Sequence, residues 1–344
     1  MMSGFALFRM PYASECTLIS GEVIELDCCE ALTGQQGFVV APFAPSPKEP
    51  LLVIKPERIE VGESSLSSLS TLSTLSSLSS LSSPYLSSGH RNYHTDFEKF
   101  HEHLLNGDFQ KLVLSRSMDM ILEGGTVPQQ LFQKACDSYP RLFVSLVYTP
   151  QSGLWLTATP ETLLSGKGQE WHTIALAGTM TYEEYLRWSD KNIREQRYVA
   201  SYMTRQLEVF SNRIVEEGPR TARAGHLAHL RSDFHFMLDD ESKVGALLQA
   251  LHPTPAVCGL PKEDAFRFIL QNEHHDRSYY SGFMGPFFVD GQTNLFVTLR
   301  CMQLFHNGCR LYAGGGLLKE SVEEQEWLET ETKLDTMRHI LFAE

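Results

Sequence analysis

RLFVSLVYTPQSGLWLTATPETLLSGKGQEWHTIALAG, residues 141–178, holds three runs rich in β-branched and aromatic residues: RLFVSLVY (141–148), GLWLTAT (153–159) and EWHTIALAG (170–178). Short runs of this kind between Pro, Gly and Ser read as strands, and three in succession with no helix between them read as a meander. Upstream, KLVLSR (111–116) continues the pattern. Before it a helix is expected from Thr95, where Glu98 completes a capping box, Phe97, Phe100, Leu104 and Leu105 make an apolar stripe, and Gly107 ends it. Downstream, a long helix is expected from about Ser189 to Ile214, with Val199, Met203, Leu207, Phe210 and Ile214 spaced 4, 4, 3 and 4. NLFVTLRCMQLF (294–305) and CRLYAG (309–314) read as further strands, and a last helix opens at Ser321 with Glu324 in capping-box position. Strands grouped in meanders with helices between the groups predict an α+β fold rather than βαβ alternation.

Residues 1–62 also alternate apolar runs with turn residues, as in GQQGFVVAPF (34–43) and PLLVIKPERIEV (50–61), and are expected to be strands of the same fold. Composition then changes abruptly. From Ser64 to Ser83 the chain is almost only Ser, Thr and Leu, with leucines at 66, 69, 72, 75, 78 and 81. A period of three slips by about 60° per step around a 3.6-residue helix, so the leucines hold no single face. A partner-binding helix is one reading of the repeat; composition favours a flexible surface spacer over 63–91, with the main body at 92–344.

With 344 residues, 42% of them hydrophobic, the chain can bury a substantial core. A net charge of −13 disfavours a nucleic-acid or anionic-membrane surface and points to a small-molecule partner, held by local positive charge if it is an anion. Seven cysteines form no C-x-x-C pair and are odd in number, against a disulfide framework or a structural zinc site. That, the absence of a run of about 18 apolar residues and the lack of a secretory leader pattern predict a cytoplasmic protein.

Several residues stand out chemically. Glu195, Val199, Met203 and Leu207 step by four, which sets a carboxylate on the core-facing stripe, where it needs a cation or donors. Glu326, Glu329, Lys333 and Met337 share a face of the last helix; by itself Glu329 with Lys333 reads as a surface ion pair, whereas hard oxygen ligands from two helices would suit Mg²⁺. The run Gly314-Gly315-Gly316 between a strand and the last helix could turn backbone N–H groups toward an anion, or simply make a tight turn. Arg300, ending LFVTLR, could grip a carboxylate bidentately.

In order along the chain, KLVLSR, TATPETLL, IALAGT, SDKNIREQRYV, LHPTPAVCGLPKEDA, EHHDRSYYSGFMG, VTLRC, LYAGGGLLKES and EWLETETK cover residues 111–333. These segments resemble the chorismate-utilising enzymes: isochorismate and salicylate synthases and the large subunits of anthranilate and aminodeoxychorismate synthases. The resemblance implies two large, mostly antiparallel sheets packed together, with helices outside and the active site between them. It implies a Mg²⁺ site at Glu195 and Glu329 with Glu326 touching the ion directly or through water. It gives the substrate to Thr179, His229, Tyr280, Leu299, Arg300, Lys333 and the amides near Gly314 and Gly316, makes Lys111 the general base and makes Glu161 the general acid. HLRSDF around His229 matches the family's His-Leu-x-Thr stretch loosely, and Asp190-Lys191-Asn192 replaces its usual Glu-Lys-Asp.

Within the family, anthranilate synthases carry Gln where Lys111 stands, and aminodeoxychorismate synthases carry a nucleophilic lysine where Ala177 stands. Salicylate synthases share Lys111 and Ala177 but usually read Phe-Pro-Ser where this chain has His252-Pro253-Thr254-Pro255. The pattern resembles isochorismate synthases, with salicylate synthase or an inactive chorismate-binding homologue as alternatives. The expected reaction adds water at C2 of chorismate through Lys111 while Glu161, protonated in a low-dielectric pocket, donates to the departing C4 hydroxyl. No amidotransferase subunit is expected, and the protein is expected to be a monomer.

Overall fold

The computed structural model describes residues 3–62, 65, 89–122, 127–182, 187–224 and 227–342. The Ser/Leu repeat, apart from Ser65, lies outside the described residues, and so does its reading as a spacer. Strands β1 (Ser3–Arg9), β2 (Thr17–Leu26), β3 (Gly37–Ala41), β4 (Leu51–Ile54) and β5 (Arg58–Val61) precede helix α1 (Gly89–Asn106). Then come β6 (Lys111–Ile121), α2 (Pro128–Ser138), β7 (Phe143–Thr149), β8 (Gly153–Thr159), β9 (Thr162–Lys167), β10 (Glu170–Thr181) and α3 (Asp190–Leu207). The chain continues through β11 (Ile214–Ala224), β12 (Leu227–Met237), α4 (Val244–Leu251), β13 (Gly259–Leu260) and α5 (Lys262–Asn272). It ends with β14 (Phe283–Phe287), β15 (Gln292–Val297), β16 (Cys301–Phe305), β17 (Gly308–Leu317) and α6 (Glu323–Phe342).

The pairings among these strands are antiparallel and trace two sheets. One runs β5-β2-β1-β7-β8-β16-β17-β6-β13. The other runs β11-β12-β10-β9-β15-β14-β3-β4-β2. The long strand β2 belongs to both: its first half pairs with β1 and β5, and Val23–Leu26 pair with β4. Between the sheets lies a core of Phe8, Phe143, Val147 and Trp155 from one and Phe38, Val40, Met284 and Phe296 from the other. Phe143 and Phe296 stack at 4.1 Å. On the outer face of the first sheet α2 and α6 add Phe132, Ala135, Leu334, Met337 and Ile340, and on that of the second α3 and α4 add Val199, Met203, Leu207 and Leu247. With both faces covered, β7 and β8 are buried at every residue, and their sequences are mostly apolar, with only Ser and Thr as polar members, rather than alternating with charged ones.

Several element boundaries differ from expectation. The helix opened by Ser189 does carry its cap, the hydroxyl accepting from the Asn192 N–H at 3.2 Å, but it ends at Leu207, and Ile214 starts β11. Helix α1 begins at Gly89, six residues before Thr95, whose hydroxyl donates back to the Arg91 carbonyl at 3.2 Å as a mid-helix threonine does. Ser321 accepts from the Leu318 N–H at 3.0 Å, and α6 starts two residues later. NLFVTLRCMQLF is two strands in different sheets, broken at Thr298–Arg300, where Arg300 takes a left-handed φ of 46°. The glycine run is no turn: Gly314, Gly315 and Gly316 are strand residues of β17, opposite Ser115, Leu114 and Val113 of β6.

Candidate active site

A cavity opens where β6, β10 and β17 meet α3 and the inner face of α6. Glu161, Thr179, Glu195, His229, Tyr280, Leu299, Arg300, Gly314, Gly316, Glu329 and Lys333 line it, eleven of the thirteen residues singled out by sequence. Lys111 sits just behind the wall, fully buried, its Nζ 3.0 Å from Glu195 Oε1. Glu326 faces the adjoining outer cavity, which shares Thr179 and Glu329 with the first.

The glycines explain how acidic side chains reach the sheet. A Cβ on Gly316 would stand 2.0 Å from Glu195 Oε1 and 2.9 Å from Lys111 Cε, and one on Gly315 would stand 3.5 Å from Glu326 Oε2 and 3.6 Å from Glu329 Oε1. Two helices therefore bring carboxylates to the backbone of one strand; at Gly316 only a residue without a side chain leaves room for Glu195, whereas at Gly315 the α6 carboxylates stand at ordinary contact distance.

Arg300 and His229 form the opposite wall. The Arg300 guanidinium donates to His229 Nε2 at 2.6 Å, and His229 Nδ1–H donates to the Gly178 carbonyl at 3.1 Å. That tautomer requires a neutral imidazole, and burial, with Arg300 and Lys333 nearby, holds its pKa well below the usual value. Gly178 supplies its carbonyl from a bulge in β10, at φ +72°, where the register slips between Ala177 and Thr179. The Thr179 hydroxyl is 3.4 Å from His229 Nδ1. Burial also draws Arg300 down to about 10. Tyr280 stacks on Tyr312 at 5.5 Å and points its hydroxyl toward Gly314.

Glu161 is 3% exposed, and burial pushes its carboxyl up to about 7 against the pull of Lys111, Lys333 and Arg300. Glu195 is shifted the other way: burial raises it, yet Lys111 and Lys191 outweigh that and hold it below the usual carboxylate range. Two buried carboxyl groups on one cavity are thus pushed in opposite directions, one toward holding its proton and one toward losing it. Lys111 Nζ has no aligned hydrogen-bond acceptor among the described residues in spite of its ion pair, which leaves a buried amine for a water or substrate oxygen to meet.

Glu195, Glu326 and Glu329 offer hard oxygen donors, and Glu326 Oε2 is buried without a partner among the described residues, so the donor set fits a cation such as Mg²⁺. The side chains do not form a closed three-ligand group as they stand, because each carboxylate is turned to a lysine: Glu195 to Lys111, Glu326 to Lys191 and Glu329 to Lys333. The expected surface pair of Glu329 and Lys333 does form, at 2.7 Å, but in the cavity wall, with Lys333 also donating to the Gly314 carbonyl at 2.7 Å. Lys191, Val113, Tyr312 and Val257 were not singled out by sequence. Val113 and Tyr312 were within reach of strand alternation, two residues from Lys111 and from Gly314, but reading the glycines as a turn cut that pattern short.

Comparison with known proteins gives the family. Isochorismate synthase EntC of Escherichia coli is 30% identical over 241 residues, 67% of this chain and 62% of that protein. A salicylate biosynthesis isochorismate synthase of Pseudomonas aeruginosa is 32% identical over 250 residues, 69% of this chain and 52% of that protein. The matched regions therefore span less than two thirds of either relative. A crystal structure described as the 2,3-dihydroxybenzoate-specific isochorismate synthase DhbC of Bacillus anthracis superposes with a TM-score of 0.80 at 25% identity, over 98% of this chain and 96% of that one. The family described as chorismate binding enzyme matches residues 57–342, and the chain belongs to it.

Proposed function

We propose that the protein is an isochorismate synthase that interconverts chorismate and isochorismate with Mg²⁺ as its metal. The observation that carries this reading is Glu161: a carboxyl buried on the cavity, raised to about 7, and facing the same space as Arg300 and Lys333. In this reading Arg300, Lys333 and the β17 backbone hold the substrate carboxylates, and neutral His229 keeps the Arg300 guanidinium aimed. In its neutral form, which this role requires, Lys111 Nζ takes a proton from a water whose oxygen bonds to C2. Glu161 gives its proton to the C4 hydroxyl as the C4–O bond breaks, and the ring double bonds shift. A divalent cation held by Glu195, Glu326 and Glu329 would neutralise and orient the substrate carboxylate. Lys111 and Ala177 support hydroxyl chemistry over amine chemistry, so no amidotransferase partner is invoked and a monomer suffices. Seven cysteines without a disulfide fit a reducing compartment such as the cytoplasm.

Chromatography of purified protein with chorismate and MgCl₂ tests the proposal. Isochorismate should form and level off at an equilibrium mixture, because reactant and product are isomers with similar bonding. Steady accumulation of salicylate and pyruvate without a plateau would identify a salicylate synthase instead, and no turnover would identify an inactive homologue.

A further inference from the structure

At the junction of α3, α6 and β17, three carboxylates meet three lysines. Glu195 has Lys111 at 3.0 Å, Glu329 has Lys333 at 2.7 Å, and Glu326 is in close contact with Lys191. Three negative and three positive charges cancel. Adding a divalent cation to that set leaves an excess of two positive charges in a poorly screened corner, so cation binding before substrate arrives is favoured by the withdrawal of a lysine.

The three lysines are not equally able to leave. Lys111 is fully buried, with no exposed side-chain surface and no outer cavity to withdraw into. Lys333 is held at both Glu329 and the Gly314 carbonyl, 2.7 Å each, inside the substrate cavity. Lys191 differs from both. It is the second residue of α3, and it lines the outer cavity rather than the substrate one. It holds only the Oε1 oxygen of Glu326, while the buried Oε2 oxygen beside Gly315 has no partner among the described residues.

We propose that Lys191 is a displaceable internal counter-ion. Before a divalent cation binds, its ammonium neutralises Glu326; when the cation arrives, the Lys191 side chain swings into the outer cavity and gives up that carboxylate. Lys191 thereby sets the affinity of the metal site and guards the route to it from the outer cavity. The inference rests on reading Glu195, Glu326 and Glu329 as the Mg²⁺ site.

Calorimetric titration of MgCl₂ into the full-length protein without chorismate tests it, comparing wild type with Lys191→Met and measuring thermal unfolding with and without Mg²⁺. The variant should bind Mg²⁺ about tenfold more tightly, because an opposing charge in contact with a ligand is gone. Its metal-free Tm should fall, since Glu326 is left without a counter-ion, and Mg²⁺ should raise its Tm by more than it raises that of wild type. Lys191→Gln should behave alike and serves if the Met variant folds poorly. Unchanged or weaker Mg²⁺ affinity in both variants would overturn the inference while leaving the metal assignment intact. Absence of Mg²⁺ binding in wild type and variants together would overturn the metal assignment, and this inference with it.

Discussion

Glu161 makes the pH dependence of the reaction a test of single-residue chemistry. Its carboxyl, raised to about 7 by burial, carries its proton in the folded protein over the range from the ordinary Glu value up to about 7. As pH rises through about 7 that proton is lost, together with whatever stability the neutral form contributed, and a general acid in that role goes silent. Turnover should accordingly fall on the alkaline side with an apparent pKa near that value. Glu161→Gln should cost roughly 10²–10⁴ in rate and abolish the alkaline limb, and a variant with the wild-type profile would assign the proton elsewhere. Gly316 is the steric counterpart. Gly316→Ala puts a methyl 2.0 Å from Glu195 Oε1, so the carboxylate must move, and overpacking of this kind typically costs ~1–3 kcal/mol. Chemical denaturation should register the loss, and turnover should drop more than stability explains.

At the scale of elements, α3 and α6 bring Glu195 and Glu329 to one strand from opposite ends of the catalytic region. Neutralising either should weaken Mg²⁺ binding, since each removes one hard anionic ligand. Their stability costs should differ. Glu195→Gln leaves the fully buried Lys111 ammonium without its counter-ion, and breaking a buried pair costs ~3–5 kcal/mol, whereas Glu329 is partly exposed and its partner Lys333 keeps the Gly314 carbonyl. Thermal unfolding in chelator should therefore show a large drop for Glu195→Gln and a small one for Glu329→Gln. Equal drops would mean that the two pairs carry similar weight. Full activity of wild type in excess chelator would remove the metal from the reaction altogether.

The two sheets act as one body because their inner faces share a core, and the cavity lies where those sheets and their flanking helices meet. Phe296→Ala, which removes a ring stacked at 4.1 Å on Phe143 of the opposite sheet, should cost about 3–5 kcal/mol in unfolding free energy. The neighbouring break at Thr298–Arg300, which aims Arg300, follows directly from β15, so KM for chorismate should rise as well. An unchanged KM would show that the core and the site are uncoupled at that point.

Local sequence was enough for β7, β8 and β10, because their apolar runs are longer than any turn could use, and for the Ser189 cap, because capping chemistry is complete within three residues; it missed β9 (Thr162–Lys167), whose apolar run is only Leu163-Leu164. The resemblance of segments from 111 to 333 assembled nearly the whole candidate site in name. Tertiary structure alone decided the rest. The long helix stops at Leu207 although apolar spacing continues to Ile214, since β11 takes up Ile214 in the sheet, and local periodicity carries no record of that competition. Three glycines before a helix look the same whether they turn or stay extended; what makes them a strand is their pairing with Ser115, Leu114 and Val113 of β6, and what keeps Gly316 a glycine is a carboxylate from α3 pressing where a side chain would be. The pairing of each carboxylate with its own lysine lies furthest from sequence, for Lys191 and Glu326 are 135 residues apart and only the packing of α3 and α6 on one strand brings their charges into contact.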